Sequence, residues 1–246
     1  IRLEQNYRST QTILQAANGV IAQNSGRLGK ELWTDGEIGE AISLYAGYNE
    51  HDEARYIVEQ AEQWLLDGNN RSSVAILYRS NAQSRVLEEA LIRSAIPYRI
   101  YGGQRFYERL EIRNALAYLR LLLNRGDDAA VERVINTPPR GIGSKTLDAV
   151  RGCARDRGIP LWGAITAVLE EKRLPARALS ALEGFIILIN ELDSGTGDLL
   201  LEGLVDHTIQ TSGLFQYHKN EKGEKGQARV ENLEELVSAA KQFVAE

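Results

Sequence analysis

Ser73-Val74-Ala75-Ile76-Leu77-Tyr78 is a continuous apolar run closed by the polar turn Arg79-Ser80-Asn81-Ala82-Gln83. Its length and β-branched content predict a buried strand of the parallel-sheet type. The turn leads into a helix over 84–94, with Val86, Leu87, Ala90 and Leu91 facing inward. Pro97 stops it, and Tyr98-Arg99-Ile100-Tyr101 reads as a second strand before Gly102-Gly103. Strand, helix and strand at this spacing make a βαβ unit, hence parallel strands in an α/β layer. Upstream, 41–48 alternates as a strand through Ile42, Leu44, Ala46 and Tyr48. A helix over 52–66 follows, ended by Asp67-Gly68. A further helix is predicted at 11–22, joined to the rest by the polar link 24–39. Beyond Gly103 the apolar spacing is helical throughout: 108–123, 127–136, 145–156, 161–171, 176–192, 199–211 and 230 to the end, with a polar connector at 220–226. A domain boundary is therefore expected near Gly103, between an α/β part (1–102) and an all-helical part (103–246).

The composition is that of a globular chain: 246 residues, 43% hydrophobic and 26% charged. No apolar run is long enough to span a membrane, and no signal peptide is visible. The single Cys153 excludes an internal disulfide and fits a reducing compartment. With three histidines and one cysteine, no zinc site is expected, and no other metal site is assigned. There is no Met at all, and the last segment stops inside an amphipathic pattern (Leu233, Leu236, Val237, Ala240, Phe243, Val244). The expectation is a piece of a longer protein. The net charge of −5 is unevenly spread: 1–70 hold 5 basic and 11 acidic residues, 71–157 hold 16 and 9, and 158–246 hold 8 and 14. A basic centre between acidic flanks predicts a local surface for a polyanion.

Three stretches carry chemistry. In Leu3-Glu4-Gln5-Asn6-Tyr7-Arg8-Ser9-Thr10, an aromatic ring that can stack on a base adjoins a guanidinium that can grip a phosphate. The turn at Arg79 and Asn81 falls at the carboxyl end of the predicted strand, where α/β sheets bind ligands; Arg79 suits a phosphate and Asn81 a backbone or base edge. In Thr137-Pro138-Pro139-Arg140-Gly141-Ile142-Gly143-Ser144-Lys145-Thr146, two glycines let the backbone approach a ligand, a helix start presents free amides, and Arg140 and Lys145 add charge. A duplex phosphate fits this turn without sequence reading. Gly29-Lys30 is no phosphate loop, because Glu31 follows where Ser or Thr is required and no strand precedes. His51, His207 and His218 are scattered, and no catalytic set is assigned. By itself this stretch is expected to be inactive in nucleotide hydrolysis.

Taken together the motifs resemble those of the UvrD/Rep/PcrA helicases of superfamily 1. Leu3-Glu4-Gln5-Asn6-Tyr7-Arg8-Ser9 is similar to motif IV, and Ala75-Ile76-Leu77-Tyr78-Arg79-Ser80-Asn81-Ala82-Gln83-Ser84-Arg85 to motif IVa. The segments 97–103 and 137–143 match as well, so that the likeness runs nearly end to end. The resemblance implies an ATP-dependent 3′-to-5′ DNA helicase of bacterial cytoplasm and nucleoid, acting in repair or replication, with ATP and Mg²⁺ as cofactors. It makes 1–102 the first part of the RecA-like domain 2A and 103–246 most of the helical insertion 2B. Tyr7 would stack on adenine and Arg8 would reach the γ-phosphate as the catalytic arginine. Arg79 and Asn81 would hold single-stranded DNA, and Gly141-Ile142-Gly143 would touch the duplex ahead of the junction. Domains 1A and 1B and the rest of 2A would be partners within the same protein, with repair proteins beyond it. Motifs Q, I, Ia, II, III, V and VI lie outside these residues. No family role attaches to Lys145. Two rival readings stay open: a DNA-binding accessory module, and an inactivated helicase-like subunit of a helicase–nuclease complex.

Overall fold

The computed structural model describes residues 4–24, 29–101, 103–197 and 199–245. Ile1, Arg2, Leu3, Gly102 and Glu246, which the expectations above include, lie outside these, as does the 25–28 part of the polar link. Two compact units divide the chain, Ile1–Glu53 and Ala54–Glu246.

In the first unit, helix α1 (Gln11–Ala22) buries Leu14. A loop folds back to its start: the Gln11 and Thr12 amides donate to the carbonyls of Glu37 and Ile38 at 3.1 and 3.0 Å. These bonds satisfy two of the four amides that a helix start leaves open. Gly39 closes the loop at φ 79°, where an added Cβ would stand 2.5 Å from the Thr10 side chain. The first turn of helix α2 (Glu50–Leu66) follows, with Glu50, Asp52 and Glu53 matching the dipole, and the rest of that helix belongs to the second unit. Asp52 accepts from the Tyr45 hydroxyl at 2.8 Å and from the Tyr48 amide at 3.1 Å.

The α/β expectation fails. Among the described residues there is no strand and no sheet; the nearest feature is one isolated parallel bridge, Gln5 to Trp33. Residues 41–48, 73–78 and 98–101 do not pair, so the βαβ unit and the partial RecA-like parallel sheet are absent. The reason is physical. An apolar or alternating pattern favours extended backbone, which Val74 adopts (φ −94°, ψ 130°), but a strand also needs a neighbour about 4.8 Å away to take its amides and carbonyls. These segments meet no such neighbour, and Leu77 and Tyr48 stand 94% and 99% exposed.

The helical expectation holds. Helix α3 (Ser84–Arg93) follows the turn at 79–83. After a short 3-10 turn come α4 (Leu110–Leu123), α5 (Asp128–Val134), α6 (Ser144–Arg157), α7 (Leu161–Glu171), α8 (Ala176–Ser194), α9 (Leu201–Thr211), α10 (Leu214–Lys219) and α11 (Glu224–Ala245). Local signals set several boundaries. Asp127 caps α5 by accepting from the Ala130 amide at 2.9 Å, and Gly158 ends α6 in the left-handed conformation. Along α4 the buried positions 111, 112, 114, 115, 117, 118 and 121 cover more than half of the helix surface, as befits a helix packed on several neighbours. Phe106, Ile112, Tyr118, Phe185, Ile189 and Leu233 lie in a single core that joins α4 to α11, each contributing about 1.5–3 kcal/mol by burial. Helix α10 has no counterpart in the sequence reading, because six residues are too few to show a period. Helix α11 starts at Glu224 rather than 230, inside the expected polar connector. No helix among the described residues is long and apolar enough to cross a membrane.

Candidate nucleotide and nucleic-acid interface

The Tyr7-Arg8 pair owes its placement to Asn6. The bridge to Trp33 anchors this residue: the Asn6 amide donates to the Trp33 carbonyl at 2.8 Å. Asn6 Oδ1 then accepts from the amides of both Arg8 and Ser9 at 2.8 Å, forming a side-chain turn. Tyr7 and Arg8 are thereby held in the open. Tyr7 is 87% exposed and its hydroxyl donates to Gln5 Oε1 at 2.7 Å, which leaves the ring faces uncovered. The Arg8 guanidinium has no acceptor among the described residues. Because the start of α1 already spends its Gln11 and Thr12 amides on Glu37 and Ile38, an anion here would meet the guanidinium of Arg8 rather than an open helix end.

The second stretch is a turn on a polar foundation. Gln83 Oε1 accepts from the amides of Arg79 and Ser80 at 2.9 and 3.0 Å, closing the turn on itself. The side chains of Arg79 and Asn81 are left exposed. Beneath them lies a buried network. Arg109, just before α4, donates to the Asn81 carbonyl and to Asn232 Oδ1 of α11, both at 2.8 Å, and to Ser84 Oγ at 2.6 Å. Ser84 donates to Glu88 at 2.7 Å, and Asn232 donates to Glu111 at 2.6 Å. Glu88 also accepts from the Tyr98 hydroxyl at 2.9 Å; burial, then Glu88, pushes that phenol up to about 12. Alongside, Arg85 is 2% exposed and donates to Glu235 at 2.5 Å, Glu89 at 2.9 Å and Gln242 at 2.7 Å.

The third stretch divides its charges between inside and outside. Asn136 Oδ1 accepts from the amides of Arg140 (2.7 Å) and Ile142 (3.3 Å), folding 136–142 into a compact turn. The Arg140 fork points into the protein: it donates to the carbonyls of Val134 and Pro138 at 3.0 Å, to the Tyr118 hydroxyl at 2.6 Å and to the Ser212 carbonyl at 2.9 Å. Ile142 is buried. Gly141, at φ 81°, and Gly143 are exposed, and a Cβ on either would meet open space. Ser144 and Lys145 are exposed too. The amides of Gly143, Ser144 and Lys145 have no protein acceptor among the described residues. The face so formed is backbone donors plus one lysine.

Each expected site residue is thus placed: Tyr7 and Arg8 adjacent and exposed, Arg79 and Asn81 exposed on one turn, and Gly141, Gly143 and Lys145 exposed around a buried Ile142 and an inward Arg140. Arg85, Arg109 and Asn232, which fasten the second stretch, escaped the sequence reading. Composition carried no signal for the two arginines, because most arginines of 71–157 are exposed. Of the 16 basic residues in 71–157, only Lys145 is a lysine, and among the arginines only Arg85 and Arg109 are buried, where a planar fork can be fully bonded.

The second unit is a helical body with two exposed basic turns, and the exposed aromatic–guanidinium pair belongs to the first. Residues 1–246 match the UvrD-like helicase C-terminal domain, and the chain belongs to that family. It is 59% identical over 243 residues to DNA helicase II of Escherichia coli (strain K12), covering 99% of this chain and 34% of that protein. Against DNA helicase II of Haemophilus influenzae the figure is 55% over 244 residues, and against the ATP-dependent DNA helicase UvrD1 of Mycobacterium tuberculosis (strain ATCC 25618 / H37Rv) it is 45% over 247. The chain spans about a third of the length of the curated relatives it matches.

Proposed function

We propose that the chain is the part of an ATP-dependent 3′-to-5′ DNA helicase that senses the nucleotide and holds the DNA. The observation that carries this reading is the exposed Tyr7-Arg8 pair, held by Asn6, in a chain similar along its whole length to proteins named DNA helicase II. Tyr7 offers an uncovered ring for adenine, and Arg8 a free fork for the γ-phosphate of ATP bound with Mg²⁺. Arg79 and Asn81 are the proposed contacts to single-stranded DNA. Gly141, Gly143 and Lys145 are proposed to meet the duplex backbone at the junction, while Ile142 and Arg140 hold that turn in shape. The division at 1–102 and 103–246 is the proposed limit between the nucleotide-sensing domain and the helical insertion. The proposed setting is the bacterial cytoplasm and its nucleoid.

The test is Arg8→Ala in the full-length protein. Losing an arginine that stabilises phosphoryl-transfer charge costs about 10³-fold or more in turnover. ATP-driven unwinding should disappear while single-stranded DNA binding stays within about twofold, since the lost group sits on the nucleotide. Normal ATP turnover in that variant would remove the role given to Arg8.

A further inference from the structure

Arg109 is 8% exposed, yet no carboxylate touches it. Its acceptors are neutral: the Asn81 carbonyl at 2.8 Å, Asn232 Oδ1 at 2.8 Å, Ser84 Oγ at 2.6 Å and the Gln104 carbonyl at 3.3 Å. The Phe106 ring lies against the guanidinium, 5.3 Å from its centroid. The balancing charges stand one bond further out, Glu88 behind Ser84 and Glu111 behind Asn232. Burying a cation this way costs desolvation, and a merely structural cation would gain more from a direct carboxylate. The arrangement does something an ion pair does not: one planar fork reaches the backbone of the 79–83 turn, the start of α3 and the middle of α11 at once.

We infer that Arg109 is a positioning residue for the single-stranded-DNA contact, fixing the Asn81 carbonyl, and with it the exposed side chains of Arg79 and Asn81, against α11. This rests on the reading that Arg79 and Asn81 hold the strand. The turn at 81–83 also packs against α11, and Arg85 just beyond it bonds Glu235 and Gln242 of that helix. It is the Arg109 fork, however, that links the turn's backbone to α11 through hydrogen bonds. Gln83 closes it only upon itself, and the segment before it pairs with no neighbour among the described residues. Without the Arg109 fork, Arg79 and Asn81 would keep their chemistry and lose their common orientation. A lysine preserves the charge but not the fork, because a single ammonium cannot reach the separate acceptors in one plane.

The experiment is a cycle in the full-length protein: the turn variant Arg79→Ala/Asn81→Ala, the variant Arg109→Lys, and the triple variant. Oligothymidylate and a blunt duplex serve as probes, and circular dichroism melting reports on the fold. The turn variant should bind oligothymidylate about tenfold more weakly, the scale of two lost polar contacts. Arg109→Lys should lose about threefold, as expected from a displaced rather than a deleted contact. It should retain duplex affinity, and its salt dependence should be unaltered because no charge is lost. Added to the turn variant, Arg109→Lys should cost nothing more. If the turn variant binds normally, the strand-holding reading fails, and the inference with it. If the turn variant is weakened but Arg109→Lys is neutral, or its loss adds in full or falls equally on duplex, the inference alone is overturned. Should Arg109→Lys not fold, Asn232→Ala takes its place in the same cycle, removing one acceptor of the fork. A coupled loss of about twofold supports the positioning role, and an uncoupled or absent loss refutes it.

Discussion

Replacing Arg140 by Ala discriminates between an arginine that touches DNA and one that builds the surface touching it. The guanidinium donates to Val134, Pro138, Tyr118 and Ser212 at 2.6–3.0 Å, and the Tyr118 ring lies beside it at 5.8 Å. Truncation to Ala leaves three carbonyls without that donor. The Tyr118 hydroxyl keeps its own bond to the Thr137 carbonyl at 2.6 Å. A hydrogen bond to a charged group contributes about 1.5–3 kcal/mol when buried. The site is half-buried and water reaches part of it, so a total of about 3 kcal/mol is expected. With a urea m-value of about 2–3 kcal/mol per M for a chain of this size, the midpoint should fall by roughly 1 M. Lys145→Ala, which removes an exposed and unpaired side chain, should move it by no more than about 0.5 kcal/mol. Urea titration of the 246-residue chain followed by far-ultraviolet circular dichroism reads both. The reasoning fails if Arg140→Ala leaves the midpoint in place while the salt slope of duplex binding drops by about one. That pattern would mean the fork faces phosphate rather than carbonyls.

Two further outcomes follow from buried groups near α10 and α11. Burial holds the His218 imidazole below its ordinary 6.5, against the opposing hydrogen bond with Glu221, and its buried Nε2 has no partner. The unfolded chain therefore takes up the proton first as pH falls, so the contribution of this group is intact above about pH 6.5 and is lost progressively below it. Unfolding midpoints measured from pH 7.5 to 5.5 should decline less steeply in His218→Gln, and parallel slopes would contradict the assignment. Gly226 packs so closely on the carbonyls of Glu221 and His218 that a Cβ cannot fit, so Gly226→Ala should cost about 1–3 kcal/mol. Gly152→Ala, in mid-α6 with open space around it, should instead stabilise by about 0.5–1 kcal/mol; equal effects at the two sites would refute the packing argument.

How far the sequence could be read depended on whether each signal was local. Helices such as α7, whose bounds match the predicted 161–171, are specified by apolar spacing, prolines and glycines within the segment itself. The run at 73–78 specified extended backbone only. Pairing is a relation between segments, and nothing within 73–78 records whether a partner lies alongside. Charge counting had the same weakness. The excess of basic residues in 71–157 includes Arg79, Arg113 and Lys145, which are exposed, and Arg85 and Arg109, which are buried, and a sum cannot tell them apart.

The two basic turns share a construction that the motifs alone conceal. At each, an arginine fork gathers carbonyl oxygens from behind: Arg109 takes that of Asn81, and Arg140 takes those of Val134, Pro138 and Ser212. The groups left facing outward are an exposed cation with an amide side chain in one turn, and backbone N–H donors with a lysine in the other. A polyanion meeting such a surface finds donors already oriented, so less side-chain ordering opposes binding than if the arginines reached out unsupported. The inward cation also offsets the partial negative charge that inward carbonyls would otherwise concentrate under the turn. Arginine suits this duty because its donors are planar and its charge is permanent, whereas the outward position tolerates lysine because contact with a phosphate demands charge more than geometry.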